Sequence, residues 1–151
     1  MTQPAVAVYW DTSAIVSAVF ADVHSAAATA AAAQPGIHLI SSLAWTETHA
    51  TIAQIERERA LATVFVEAAR EALDTGPWRP VNVVPDWQSV RRLSAKWSLS
   101  GADLWHLAAA MELRNDFPEL VLLSYDSKLI GAANGEGVAV AASQYGGGQV
   151  T

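Results

Sequence analysis

The chain has 151 residues (16.0 kDa), of which 52% are apolar and only 16% charged, with a mean hydropathy of +0.21. That composition excludes a disordered tail or polar array and describes one domain long enough to bury a core. Fifteen acids against nine lysines and arginines give a net charge of −6, which argues against holding nucleic acid by bulk positive charge but leaves room for a local basic strip. The absence of cysteine excludes disulfide frameworks, thiolate zinc sites and cysteine nucleophiles.

Ala5 to Trp10 is a short apolar run ending at Asp11, and it reads as a buried strand. Thr12 to Phe20 turns helical in period. His24 to Ala33, almost all alanine, reads as a closely packed helix that stops at Gln34-Pro35-Gly36. Ile37 to Ile40 is a second strand. Ser41 and Ser42 can cap a long helical stretch from Leu43 to about Leu73, which can break near Arg59. Val81 to Val84 is a third strand between two prolines. Asp86 caps a helix to about Trp97, and Ser100-Gly101 opens another reaching Arg114. Leu120 to Leu123 is the most strand-like run, followed by Asp126, a short helix over Ser127 to Ala133, and a last strand at Val138 to Val140. The alternation predicts a three-layer α/β/α sandwich with a mostly parallel central sheet, a single domain over residues 1–145 and a loose Gly-rich tail at 146–151. Met1 to Pro4 lack the basic region of a signal peptide and no apolar run approaches 18 residues, so a soluble, cytoplasmic protein is expected.

Ligands of open parallel sheets bind beyond the carboxyl ends of the strands. Asp11 directly follows the first strand and Asp126 closely follows the fourth. Asp103 lies in the first turn of its helix, and Glu47 about one turn into its own. Convergence of these four acids would make an oxygen-rich site suited to Mg²⁺ or Mn²⁺ rather than zinc. Each also has a structural reading. Asp11 and Asp126 can simply cap helices, Asp103 stands at capping-box spacing from Ser100, and Glu47 can be a solvated helix residue. Taken singly, the structural reading is the better one for each.

Their order and surroundings change that balance. Asp11-Thr12-Ser13-Ala14, Glu47, Gly101-Ala102-Asp103 followed by His106-Leu107-Ala108, and Ser124-Tyr125-Asp126 occur in one sequence along the chain. This series, spanning Val6 to about Val140, resembles the PIN domain, in particular the small toxin ribonucleases of bacterial toxin–antitoxin pairs. The resemblance implies an endoribonuclease dependent on Mg²⁺ or Mn²⁺, with Asp11, Asp103 and Asp126 binding metal and Glu47 a direct or water-mediated ligand. Thr12, Ser13 and Ser124 would orient the carboxylates or a bound water. It also implies an RNA substrate, a cognate antitoxin whose tail blocks the site, and a homodimer. The polar segment Asn115 to Glu119 departs from the family pattern by stretching the Asp103–Asp126 spacing.

The remaining candidates are weaker. His106, one turn from Asp103, could touch metal or phosphate, but a packed helix histidine is the commoner case. His49 points to another face than Glu47. Trp10, Trp45 and Trp105 fall in apolar elements and read mostly as core or interface. Arg91, Arg92 and Lys96, with Arg79 nearby, form the densest basic group, either a solvated face or a phosphate-contacting strip. No HExxH, GxSxG or glycine-rich phosphate loop is present, and a dehalogenase-like phosphatase would need an aspartate where Ser13 stands. A small-molecule phosphohydrolase and a catalytically silent binding module remain as alternatives.

Overall fold

The first apolar run forms strand β1 (Ala7–Trp10), the middle strand of a five-stranded sheet in the computed structural model, which describes residues 6–141. Helices α1 (Thr12–Val19) and α2 (Ser25–Ala32) lead to β2 (Ile37–Ser41), then α3 (Ser42–Arg57) and α4 (Thr63–Thr75) lead to β3 (Arg79–Val81). Helices α5 (Trp87–Lys96) and α6 (Gly101–Leu113) precede β4 (Val121–Leu123), and α7 (Ser127–Gly135) precedes β5 (Ala139–Val140). The strand order is β3-β2-β1-β4-β5 with every pair parallel, which makes the sheet wholly rather than mostly parallel. The tail expected at 146–151 lies outside the described residues, among which no helix is long and apolar enough to cross a membrane.

The two-residue period of the strands divides the core. Ala7, Tyr9, Leu39 and Leu122 pack with Leu93, Leu107, Leu113 and Leu129 beneath α5, α6 and α7. Trp10, Ile40 and Leu123 point the other way, onto Ala14, Ile15, Ala28, Ala44, Ile52 and Val66 beneath α1 to α4. Both faces are covered, which is what a parallel sheet requires and what defines the three layers. Buried alanines in α2 and α6 let those helices approach closely.

One expectation holds and two need adjustment. The long stretch from Leu43 does break near Arg59, which adopts φ 52° between α3 and α4. The third strand is Arg79–Val81, not Val81 to Val84, because pairing with Leu39–Ser41 of β2 selects that register. Pro80, which has no N–H to donate, is acceptable on this edge, while Val84 is left 76% exposed. Trp10 is buried, whereas Trp45 is 41% and Trp87 84% exposed, so the tryptophans do not all serve the core.

The layer of α5 and α7 is tied by one charged cluster. Glu136, just beyond α7, accepts from Lys96 Nζ at 2.8 Å, Arg92 Nη1 at 2.9 Å and Trp97 Nε1 at 3.0 Å. Trp97 lies over Gly135, where a Cβ would come within 2.3 Å of its ring. Lys96, then Arg92 and Trp97, hold the Glu136 carboxyl at about 2, well below its ordinary value. A depressed carboxyl contributes stability above its unfolded pKa and loses it as pH falls towards 2. Glu136→Gln should therefore lower the melting temperature at pH 7 by about 3 °C, for a loss near 1 kcal/mol. Thermal melts of both proteins should converge as pH drops from 4.5 to about 2.

Candidate active site

The strand order reverses between β1 and β4, so the chain leaves these neighbours towards opposite sides and opens a crevice at their carboxyl ends. Asp11 and Ser124 to Asp126 stand there. Asp11 N donates to Leu123 O at 3.1 Å, which extends the β1–β4 ladder by one residue and fixes the aspartate at the crevice. The Asp11 carboxylate is 1% exposed and takes three donors. Ser124 Oγ donates to Oδ2 at 2.6 Å, Ala14 N to Oδ1 at 2.9 Å, and Ser13 Oγ to both oxygens at 2.8 and 3.0 Å. Ser13 Oγ also accepts from Tyr125 N of the opposite loop, and Ser124 Oγ accepts from Asp126 N within its own.

The structural readings of Asp11 and Asp126 as helix caps hold. Asp11 caps α1, and Asp126 caps α7 through Oδ1 alone, taking Lys128 N and Leu129 N at 3.0 Å each. Ser100 caps α6 and places Asp103 in its first turn. Glu47, one third exposed on α3, accepts from Thr12 Oγ1 at 2.6 Å.

The acids share one electrostatic field. Burial pushes the Asp11 carboxyl up to about 6, its hydrogen bonds oppose the shift, and the charge of Asp103 adds to it. Burial likewise raises Asp103, with the carboxylates of Asp126 and Glu47 pushing the same way. Mutual repulsion among oxygen donors is what a hard divalent cation relieves. Among the described residues, however, no three carboxylate or imidazole groups already close on one point.

Sequence reasoning placed His106 in the core and passed over Tyr9, and the structure joins them to the site. His106 is buried; its Nδ1 lies 2.6 Å from Tyr9 Oη and its Nε2 3.1 Å from Thr12 Oγ1, with Glu47 Oε1 at 3.7 Å. Burial holds its pKa down to about 4, so the ring is neutral near pH 7 and its contact with Glu47 is not an ion pair. The signal available in sequence was positional: His106 lies one turn beyond Asp103 and Tyr9 two residues before Asp11. His49 stacks edge-on against Trp45.

The basic group sits elsewhere. Arg92 and Lys96 are committed to Glu136 and carry one net positive charge as a cluster, while Arg91 is exposed on the same helix. Glu136 follows the far end of α7, about 15 Å along the helix from Asp126.

A raised carboxyl makes a signed prediction. The folded state binds the Asp11 proton more tightly than the unfolded chain, so this group's stabilising contribution is complete below about pH 4 and lost as pH rises through about 6. Asp11→Asn removes the buried charge and should raise metal-free stability at pH 7 by ~1–3 kcal/mol, several degrees in melting temperature. It should also flatten the pH dependence between 4 and 6, as chelator-treated melts across that range would read.

The fold has counterparts among solved structures. PAE2754 from Pyrobaculum aerophilum superimposes with a TM-score of 0.59 at 15% identity, covering 93% of this chain and 87% of its own. VapBC2 from Rickettsia felis, solved bound to a DNA fragment from its promoter, gives 0.59 at 11% identity over 89% and 96%. VapC20 from Mycobacterium tuberculosis, a toxin that cleaves the sarcin-ricin loop, gives 0.54 at 18% over 83% and 94%. No curated protein matches the sequence. A family model, the PIN domain, matches residues 8–134, from β1 through α7 and across all four acids. On that match the chain belongs to the PIN-domain family.

Proposed function

We propose that the chain is a metal-dependent endoribonuclease, the toxin of a toxin–antitoxin pair. The observation that carries this reading is the placing of Asp11 and Asp103 at the switch point of a PIN fold, where burial raises both carboxyls and the charge of Asp103 adds to the shift of Asp11. Asp11, Asp103 and Asp126 would hold Mg²⁺ or Mn²⁺, with Glu47 joining directly or through water. When bound, the ion supplies polarisation of a phosphodiester and a water of lowered pKa. Ser13 and Ser124 keep the Asp11 carboxylate in one orientation, and Thr12 does the same for Glu47. These hydroxyls all act as donors to carboxylates and His106 is 1% exposed, so the chain's own groups bind and orient while water is the nucleophile.

RNA enters against a protein of net charge −6, so local cations must offset the repulsion of phosphates. Arg91 and the half-exposed Arg92 and Lys96 are the densest basic group in the sequence, and Glu136 halves what the last two offer. A small antitoxin covering the site in the cytoplasm and a second copy of this chain complete the proposed assembly. The similarity to VapBC2 and VapC20 supports that choice over a small-molecule phosphohydrolase or a silent module.

The test is cleavage of a structured RNA with Mg²⁺ or Mn²⁺, against EDTA and a small phosphoester. RNA should be cut only with metal, and Asp11→Asn or Asp103→Asn should lower the rate by at least ~10³-fold, as single electrostatic deletions do. Turnover of the phosphoester alone, or RNA cleavage undiminished in Asp11→Asn, would overturn the reading. A metal concentration 100 times the dissociation constant should stabilise the wild type by about 2.7 kcal/mol, raising its melting temperature. The same metal should leave Asp11→Asn nearly unmoved.

A further inference from the structure

One buried hydrogen-bond chain leads from the core to an acid of the site, and its proton positions are fixed by elimination. The Glu47 carboxylate can only accept, so the single Thr12 hydroxyl proton points to Glu47 Oε1 at 2.6 Å. Thr12 Oγ1 must then accept from His106 Nε2, 3.1 Å away, which places the imidazole proton on Nε2. A neutral ring carries one such proton, so Nδ1 accepts, and the Tyr9 phenol at 2.6 Å donates to it. Every donor in the series Tyr9, His106 and Thr12 points towards Glu47.

The anchoring is asymmetric. Tyr9 is fully buried and His106 1% exposed, both inside the core beneath α6, whereas Glu47 keeps about a third of its side chain in solvent. A glutamate on a helix surface samples several rotamers; here one oxygen is held by groups that cannot move without disturbing the core. We propose that Tyr9 and His106 are positioning residues. They fix the Glu47 carboxylate towards the metal-binding acids through Thr12, in the way outer hydrogen-bond partners orient metal ligands. The proposal rests on the nuclease reading only for what Glu47 does once positioned.

The test uses the full chain and three readouts: the His106 tautomer from imidazole ¹⁵N shifts, Glu47 rotamer averaging from side-chain couplings, and affinity for Mn²⁺ alone. Wild type should show the Nε2–H tautomer and one Glu47 rotamer. Tyr9→Phe, which deletes only the donor oxygen, should mix the tautomers, release Glu47 into averaging, and weaken Mn²⁺ binding by at least ~10-fold. Thr12→Val should lose the same orientation and affinity, and Thr12→Ser, which keeps the hydroxyl, should restore most of both. His106→Gln, which retains a donor towards Thr12, serves if Tyr9→Phe does not fold, and should hold Glu47 better than His106→Leu. An Nδ1–H tautomer in the wild type, or a Tyr9→Phe protein with Glu47 still in one rotamer, overturns the proposal. Wild type that binds no Mn²⁺ sinks the nuclease reading instead, and the tautomer and rotamer then decide the positioning by themselves.

Discussion

The structure is organised around a charge with almost no contact with water. The Asp11 carboxylate is 1% exposed, and an isolated buried carboxylate is unfavourable unless donors replace its hydration. Three donors do so, and each comes from a place the fold must supply: the first turn of α1, the Ser13 hydroxyl, and Ser124 just beyond the neighbouring strand. Ser124 can reach across only because β4 pairs directly with β1. Burial still outweighs the hydrogen bonds, so the carboxyl stays above its ordinary range. The sheet order, the capping of α1 and the two serines are thus a single arrangement seen from three sides.

That arrangement carries a cost in stability. A group kept ionised against its environment is a standing cost to the folded chain, and it is the group with most to gain from a bound cation. Glu136 shows the opposite solution. Its carboxylate is ringed by Lys96, Arg92 and Trp97, is held at about 2, and fastens α5 to the end of α7. One acid is satisfied and structural, the other strained and available. Their environments, not their residue types, make the difference.

Much of this was legible in the residues. Hydrophobic period located β1, β2, β4 and most helices, because each carries an apolar face or run that the layers bury. The four acids and three hydroxyls were legible as candidates because strand ends and helix caps are marked locally; in the structure Ser13 and Ser124 donate to Asp11 and Thr12 donates to Glu47. What escaped depended on partners distant in sequence. The register of β3 follows from β2, so the valines of 81–84 misled. Arg92 and Lys96 read as a free basic strip until Glu136, forty residues on, came to lie between them. Tyr9 and His106, 97 positions apart, have no local signature for a contact that only the closed sandwich creates.

The same narrow sheet limits how the molecule can meet others. Its β3 margin is three residues long, centred on Pro80, and followed by a stretch that leaves Val84 and Trp87 in solvent. A backbone edge of this kind offers too few unpaired amides to template another strand, which guards against open-ended stacking of sheets. Association on this side must therefore run through side chains, where shape and chemistry discriminate, rather than through the amide ladder, which accepts almost any extended chain.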